Sequence, residues 1–214
     1  VQRRKARQTY FGVGKMTYEF ENEYHAKGYK IICGVDEAGR GPLAGPVYAA
    51  AVILPDGLEE LGINDSKKMS EKKREQLYDV VVENAIAYGV GFATEKEIDE
   101  INILNATFLA MRRAVEARGV EPDMVFVDGN RKPSTGYEEI TIVKGDAKSI
   151  SIAAASILAK VSRDRYMRQL AEKYPEYEFD RHKGYGTKLH YEKIEQYGIL
   201  PDHRRSFLKK ILEK

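Results

Sequence analysis

Apolar residues recur along the chain with two periods, and the switches between them outline its elements. Short β-branched runs predict strands over 29–35, 47–54 and 85–93, the first ending in the acidic pair Asp36-Glu37 and the second closed by Pro55-Asp56-Gly57. Ser70 is placed to cap a helix over 71–83, and Thr94-Glu95-Lys96-Glu97 has the form of a capping box. Leu104, Phe108, Met111 and Val115 then follow helical spacing over 102–118, with Gly119 as the stop. A fourth strand over 124–127 runs directly into Asp128-Gly129, and a fifth spans 140–143. Ile150, Ala154, Ile157 and Val161 mark one side of a helix predicted over 147–165, and the alanines at 153–155 allow it to lie close against a sheet. Pro175 ends the next helical stretch; 187–197 and 206–212 read as further helices. A short helix over 17–27, stopped by Gly28, precedes the strands, and residues 1–16 read as a basic tail or linker.

This order predicts an α/β fold with a mixed sheet: a meander of three strands, then strands reached through crossovers. A catalytic domain over 17–165 is expected, with a helical part over 166–214 packed on it and contributing to substrate binding. The 214 residues are 43% apolar, enough for a single buried core. The longest apolar run, 43–54, is broken by Gly45 and Pro46 and falls short of the ~20 residues a spanning helix needs. One cysteine, Cys33, excludes an intramolecular disulfide and a Cys-based zinc cluster. A cytoplasmic monomer is the expectation. Charge changes the picture: residues 1–18 hold five basic and no acidic side chains, 160–214 hold fourteen basic and nine acidic, and 19–159 hold sixteen basic against twenty-four acidic. Basic ends around an acidic middle suit an anionic polymer meeting a metal-loaded carboxylate site.

Asp36-Glu37 and Asp128 stand where apolar strands stop, and open α/β sheets bind ligands beyond the carboxyl ends of their strands. If the first and fourth strands are neighbours, Asp36 and Asp128 face one crevice, with Asp146 just past the fifth. Oxygen donors without Cys, and without His at a ligand spacing, point to Mg²⁺ or Mn²⁺. Other readings stand beside these. Asp146 is placed to cap a helix beginning at Ala147, and Asp128-Gly129 has the form of a turn. Adjacent strand residues point to opposite faces, so either the pleat breaks at Glu37 or that residue acts through its carbonyl or a water. Ser66, Lys67, Lys68, Arg163 and Lys183 are candidate phosphate contacts or solvated surface. His182, His190 and His203 share no ligand face by spacing and are expected at the surface, and Cys33 in a buried strand.

The segment from Gly34 to Val47 (GVDEAGRGPLAGPV) resembles the signature of the bacterial type 2 ribonucleases H, ribonuclease HII. The resemblance continues through Asp65-Ser66-Lys67-Lys68, Val127-Asp128-Gly129, Lys144-Gly145-Asp146, residues 153–164 (AAASILAKVSRD), His182-Lys183-Gly184-Tyr185-Gly186-Thr187 and His203-Arg204-Arg205-Ser206-Phe207. It implies an RNase H-like fold: a five-stranded mixed sheet flanked by helices. It implies an endonuclease that cuts the RNA strand of RNA/DNA hybrids and nicks DNA duplexes 5′ of single embedded ribonucleotides, leaving 5′-phosphate and 3′-OH ends. Asp36, Glu37, Asp128 and Asp146 match the family's metal-binding carboxylates, Gly39-Arg40-Gly41 the segment that approaches the ribose 2′-OH, and Tyr185 the tyrosine that reads the ribo-to-deoxyribo junction.

These residue types suit that chemistry. Two divalent ions about 3.5–4 Å apart activate a water and meet the leaving 3′-oxygen, and four carboxylates largely neutralise them. Gly39 and Gly41 lack side chains, so backbone groups can come close to the one hydroxyl that separates RNA from DNA. Two other readings remain: a different RNase H-fold enzyme cutting DNA alone, and a catalytically silent hybrid-binding module. Four acids beside a polyanion weigh against the second unless metals occupy them.

Overall fold

The computed structural model describes residues 18–58, 62–63 and 69–209. The proposed tail at 1–16 and the phosphate candidates Ser66, Lys67 and Lys68 lie outside them. Five strands form one sheet: β1 (Ile32–Ala38), β2 (Val47–Ile53), β3 (Ala87–Ala93), β4 (Met124–Asp128) and β5 (Glu139–Ile142). Their order is β3-β2-β1-β4-β5, with β1–β2 and β2–β3 antiparallel and β1–β4 and β4–β5 parallel. The meander and the crossovers are as the pattern predicts, and β1 does neighbour β4.

Two layers of helix cover the sheet. On one face, α3 (Glu95–Ala117) packs Ala106, Ala110, Met111 and Ala114 against Val35, Ala49, Ala51 and Val127. On the other, α4 (Ile150–Lys173) sets its alanines against Ala50 and Val52, alongside α2 (Glu71–Asn84). There α1 (Glu19–Ala26) brings Phe20 and Tyr24 onto Phe126. A Cβ built on Gly34 would fall 2.2 Å from the backbone of Ser151, so α4 lies directly on β1 at that point. Among the described residues, no helix is long and apolar enough to cross a membrane.

Several boundaries differ from expectation. The capping box at Thr94 starts α3 seven residues earlier than the apolar spacing suggests, and the chain then kinks at Asn102 (φ 67°). The helix expected from Ala147 begins at Ile150, because Ser149 Oγ accepts from the Ile152 amide and caps it. It also continues unbroken to Lys173, eight residues past the predicted end at 165. Of the helix predicted over 206–212, Ser206 and Phe207 close the 3₁₀ turn Arg205–Phe207, Lys209 is helical, and the rest lies outside the described residues. Between these lie α5 (Phe179–His182) and α6 (Lys188–Tyr197), the latter capped by Thr187.

Candidate active site

Pairing between β1 and β4 runs from Ile32 with Met124 to Val35 with Val127 and stops there. Beyond it β1 stays with β2, as Asp36 pairs Ala50 and Glu37 pairs Ala49, while Asp128 pairs Ile142 of β5. The acidic pair therefore lies inside the strand, not after it as expected, because β2 keeps the ladder going on one side. The sheet parts between Asp36 and Asp128. Strand alternation turns both toward the α4 face, the face on which Gly34 and Phe126 also stand.

Asp36 is buried; its Oδ1 accepts from the Glu37 amide at 2.7 Å, and the Ser156 hydroxyl of α4 also bonds to it. Burial, followed by the charges of Glu37 and Asp128, pushes its carboxyl well above the ordinary value of 3.8. The pleat does not break at Glu37. The ladder with β2 continues through it, and Arg40 Nη1 lies 3.4 Å from its Oε1. Asp128 Oδ1 accepts from the Gly145 amide at 2.6 Å, which rules out a bare turn and ties β4 to the 3₁₀ turn Gly145–Ala147. Asp146, in that turn, is buried and is not the cap of α4. All donors here are carboxylate oxygens, the chemistry Mg²⁺ and Mn²⁺ take, and the mutual repulsion at Asp36 is what a cation would relieve. Among the described residues no three acids or imidazoles already close around one point.

Gly39-Arg40-Gly41 continues from β1, with Gly39 at φ 93°. A Cβ on Gly39 would lie 2.0 Å from Arg163 Nε, and one on Gly41 would lie 3.7 Å from Tyr185 Cε1, so the loop runs between a buried arginine and the tyrosine ring. Tyr185 is 43% exposed. Its approach is pinned, since the Leu43 amide donates to the Gly184 carbonyl at 2.8 Å. Lys183 sits apart, 3.9 Å from Glu71 on α2.

Four residues read as surface groups are interior. Arg163 is 1% exposed and donates to the carbonyls of Pro46 (3.2 Å) and Ala44 (3.1 Å). His182, His190 and His203 are buried as one cluster, with the rings of His182 and His190 stacked at 4.3 Å. Arg204 and Ser156 carried no sequence expectation at all; their only signal was membership of the quoted segments. Cys33 is fully buried as expected, which pushes its thiol up to about 12.

A five-stranded mixed sheet between two helical layers, parting beside Asp36 and Asp128, is an RNase H-like fold. The family model for Ribonuclease HII matches residues 33–210. Ribonuclease HII of Caldicellulosiruptor bescii is 55% identical over 195 residues, covering 91% of this chain and 95% of its own. Among solved structures, ribonuclease H2 of Pyrococcus horikoshii matches at TM-score 0.73 and 31% identity, over 86% of this chain and 98% of that one. A structure of Bst-RNase HIII in complex with Mn²⁺ shares the fold at TM-score 0.60 and 19% identity, over 78% of this chain and 63% of that one. The chain belongs to the ribonuclease HII family, and it is an enzyme of the ribonuclease H type.

Proposed function

We propose that this enzyme hydrolyses the RNA strand of RNA/DNA hybrids and nicks DNA duplexes on the 5′ side of a single embedded ribonucleotide, leaving 5′-phosphate and 3′-OH ends. One observation carries the reading: Asp36 and Asp128 share a face where β1 and β4 part, beside a glycine loop that faces Tyr185. Asp36, Asp128 and Asp146, with Glu37 through its carbonyl or a water, are the groups that would hold Mg²⁺ or Mn²⁺, two ions in the substrate complex, which when bound supply an activated water and stabilise the leaving 3′-oxygen. The solved neighbour of the same fold that holds Mn²⁺ supports the choice of ion.

The chain's own residues do the rest. The exposed peptides of Arg40 and Gly41 meet the ribose, where a 2′-OH can donate and accept. The ring of Tyr185 offers a flat surface for the next sugar, and the exposed basic residues of 160–214 meet phosphates. The test is incubation with Mg²⁺ or Mn²⁺ and a DNA duplex carrying one ribonucleotide. A nick 5′ of that nucleotide, with all-DNA duplex intact, is the expected result. Cleavage of plain DNA would favour a general strand cutter, and binding without cleavage a silent module.

A further inference from the structure

The glycine loop and Tyr185 lie far apart in sequence, yet one dipeptide, His203-Arg204, reaches both. Arg204 is fully buried. It donates from Nη2 to the Gly39 carbonyl (2.6 Å), from Nη1 to the Arg40 carbonyl (2.9 Å) and from Nε to the Gly45 carbonyl (2.8 Å). In a trans peptide the C=O and the following N–H point opposite ways, and the chain has no cis bond among its described residues. Arg204 draws the carbonyls of Gly39 and Arg40 inward, so the amides of Arg40 and Gly41 face away from it, toward the exposed side of the loop. Neither amide donates to another group among the described residues.

His203 serves the other partner. The Leu200 amide donates to His203 Nδ1 at 3.0 Å, so the His203 proton is on Nε2. That proton points at His190 Nε2, 3.0 Å away, which places the His190 proton on Nδ1, 3.0 Å from the Tyr185 carbonyl. His182 is fixed in the same manner: the Gly184 amide donates to its Nδ1, and its Nε2 donates to the Tyr177 carbonyl. The backbone closes the unit. The Arg204 amide donates to the Leu43 carbonyl at 2.8 Å, and His203 bridges Ala44.

Resting on the functional reading above, we propose that His203-Arg204 is the positioning element of the ribose site: it sets which way the loop peptides face and how far Tyr185 stands from them. Burial, with the charge of Arg163 beside it, pulls the Arg204 guanidinium down to about 9. Two of its three donors end on the peptides that face substrate, and none on the sheet.

Two substitutions test this. Arg204→Lys keeps the charge but offers one ammonium where a fork spanned three carbonyls. His190→Gln keeps an acceptor for His203 and loses the donor aimed at Tyr185. Each should slow single-turnover cleavage at an embedded ribonucleotide by at least about tenfold, with half-saturating enzyme concentration and Mn²⁺ affinity held within about twofold. Arg204→Lys combined with Tyr185→Ala should lose less than the product of the separate losses, because both act on one unit. Either variant, if folded, cutting at the wild-type rate would overturn the proposal, as would simple multiplication in the double variant. Should Arg204→Lys not fold, His190→Gln decides; failure of both to fold would make the dipeptide a stability element and equally overturn it. Wild-type protein that spares the ribonucleotide would instead defeat the functional reading.

Discussion

Asp36 and Asp128 project from one face of the sheet at the step where their two strands cease to pair, and the charge of Asp128 helps hold the Asp36 carboxyl above its ordinary range. A buried acid raised in this way favours the folded state only while protonated. As pH rises past 3.8, the metal-free fold loses that contribution. Asp36→Asn should therefore raise the thermal midpoint of the metal-free protein at neutral pH, by a few degrees for roughly 1 kcal/mol. The same change, and Asp128→Asn, should leave less than about 1% of the Mg²⁺-dependent cleavage, because each removes a charged ligand and keeps the shape. Calorimetry and single-turnover cleavage on the same preparations check both halves.

Tyr185 separates two contributions. Tyr185→Ala removes the ring and should slow cutting at an isolated ribonucleotide more than cutting within an all-RNA strand. Tyr185→Phe deletes only the hydroxyl, and one lost hydrogen bond is worth about 0.5–1.5 kcal/mol, up to roughly tenfold. Equal slowing of both substrates by the alanine variant would leave Tyr185 without a junction-reading role.

The histidine cluster predicts an acid limit to stability. Burial pulls His190 and His203 down from 6.5 to about 4, so the unfolded chain binds more protons between those values. Stability should be full above 6.5 and fall as pH drops toward 4, by about 3 kcal/mol per group at about 1.4 per unit. Urea midpoints measured across that window check the slope, and His190→Asn, which does not titrate, should flatten it.

Gly34 carries the closest approach of helix to sheet. Its built Cβ meets the Ser151 carbonyl carbon at 2.2 Å and the Ile152 nitrogen at 2.4 Å, backbone atoms that cannot rotate aside. Gly34→Ala should destabilise by at least about 3 kcal/mol, the upper end for overpacking, and by displacing α4 should disturb Asp36 through Ser156. A denaturant midpoint within error of wild type would contradict this packing.

Much of the fold was legible because its signals are local. A cap such as Ser70 or Thr94 bonds an amide three residues on, and strand alternation is read two residues at a time, so Glu71–Asn84 and Val47–Ile53 fell within a residue of expectation. The carboxylates were legible as strand-end acids, but whether they shared a crevice waited on β1 lying beside β4. The pairing that carries β1 on through Ala38 is likewise made with β2, not with its own neighbours in sequence. Arg163 and the histidines were misread, and Arg204 was overlooked, for the same reason. Arg163 and Arg204 look like solvated charges until backbone carbonyls from residues 39–46 close over them, and the three imidazoles share no helical face because they meet across separate segments. Burial of a polar side chain depends on partners brought by the whole chain, and spacing along one segment holds no record of them.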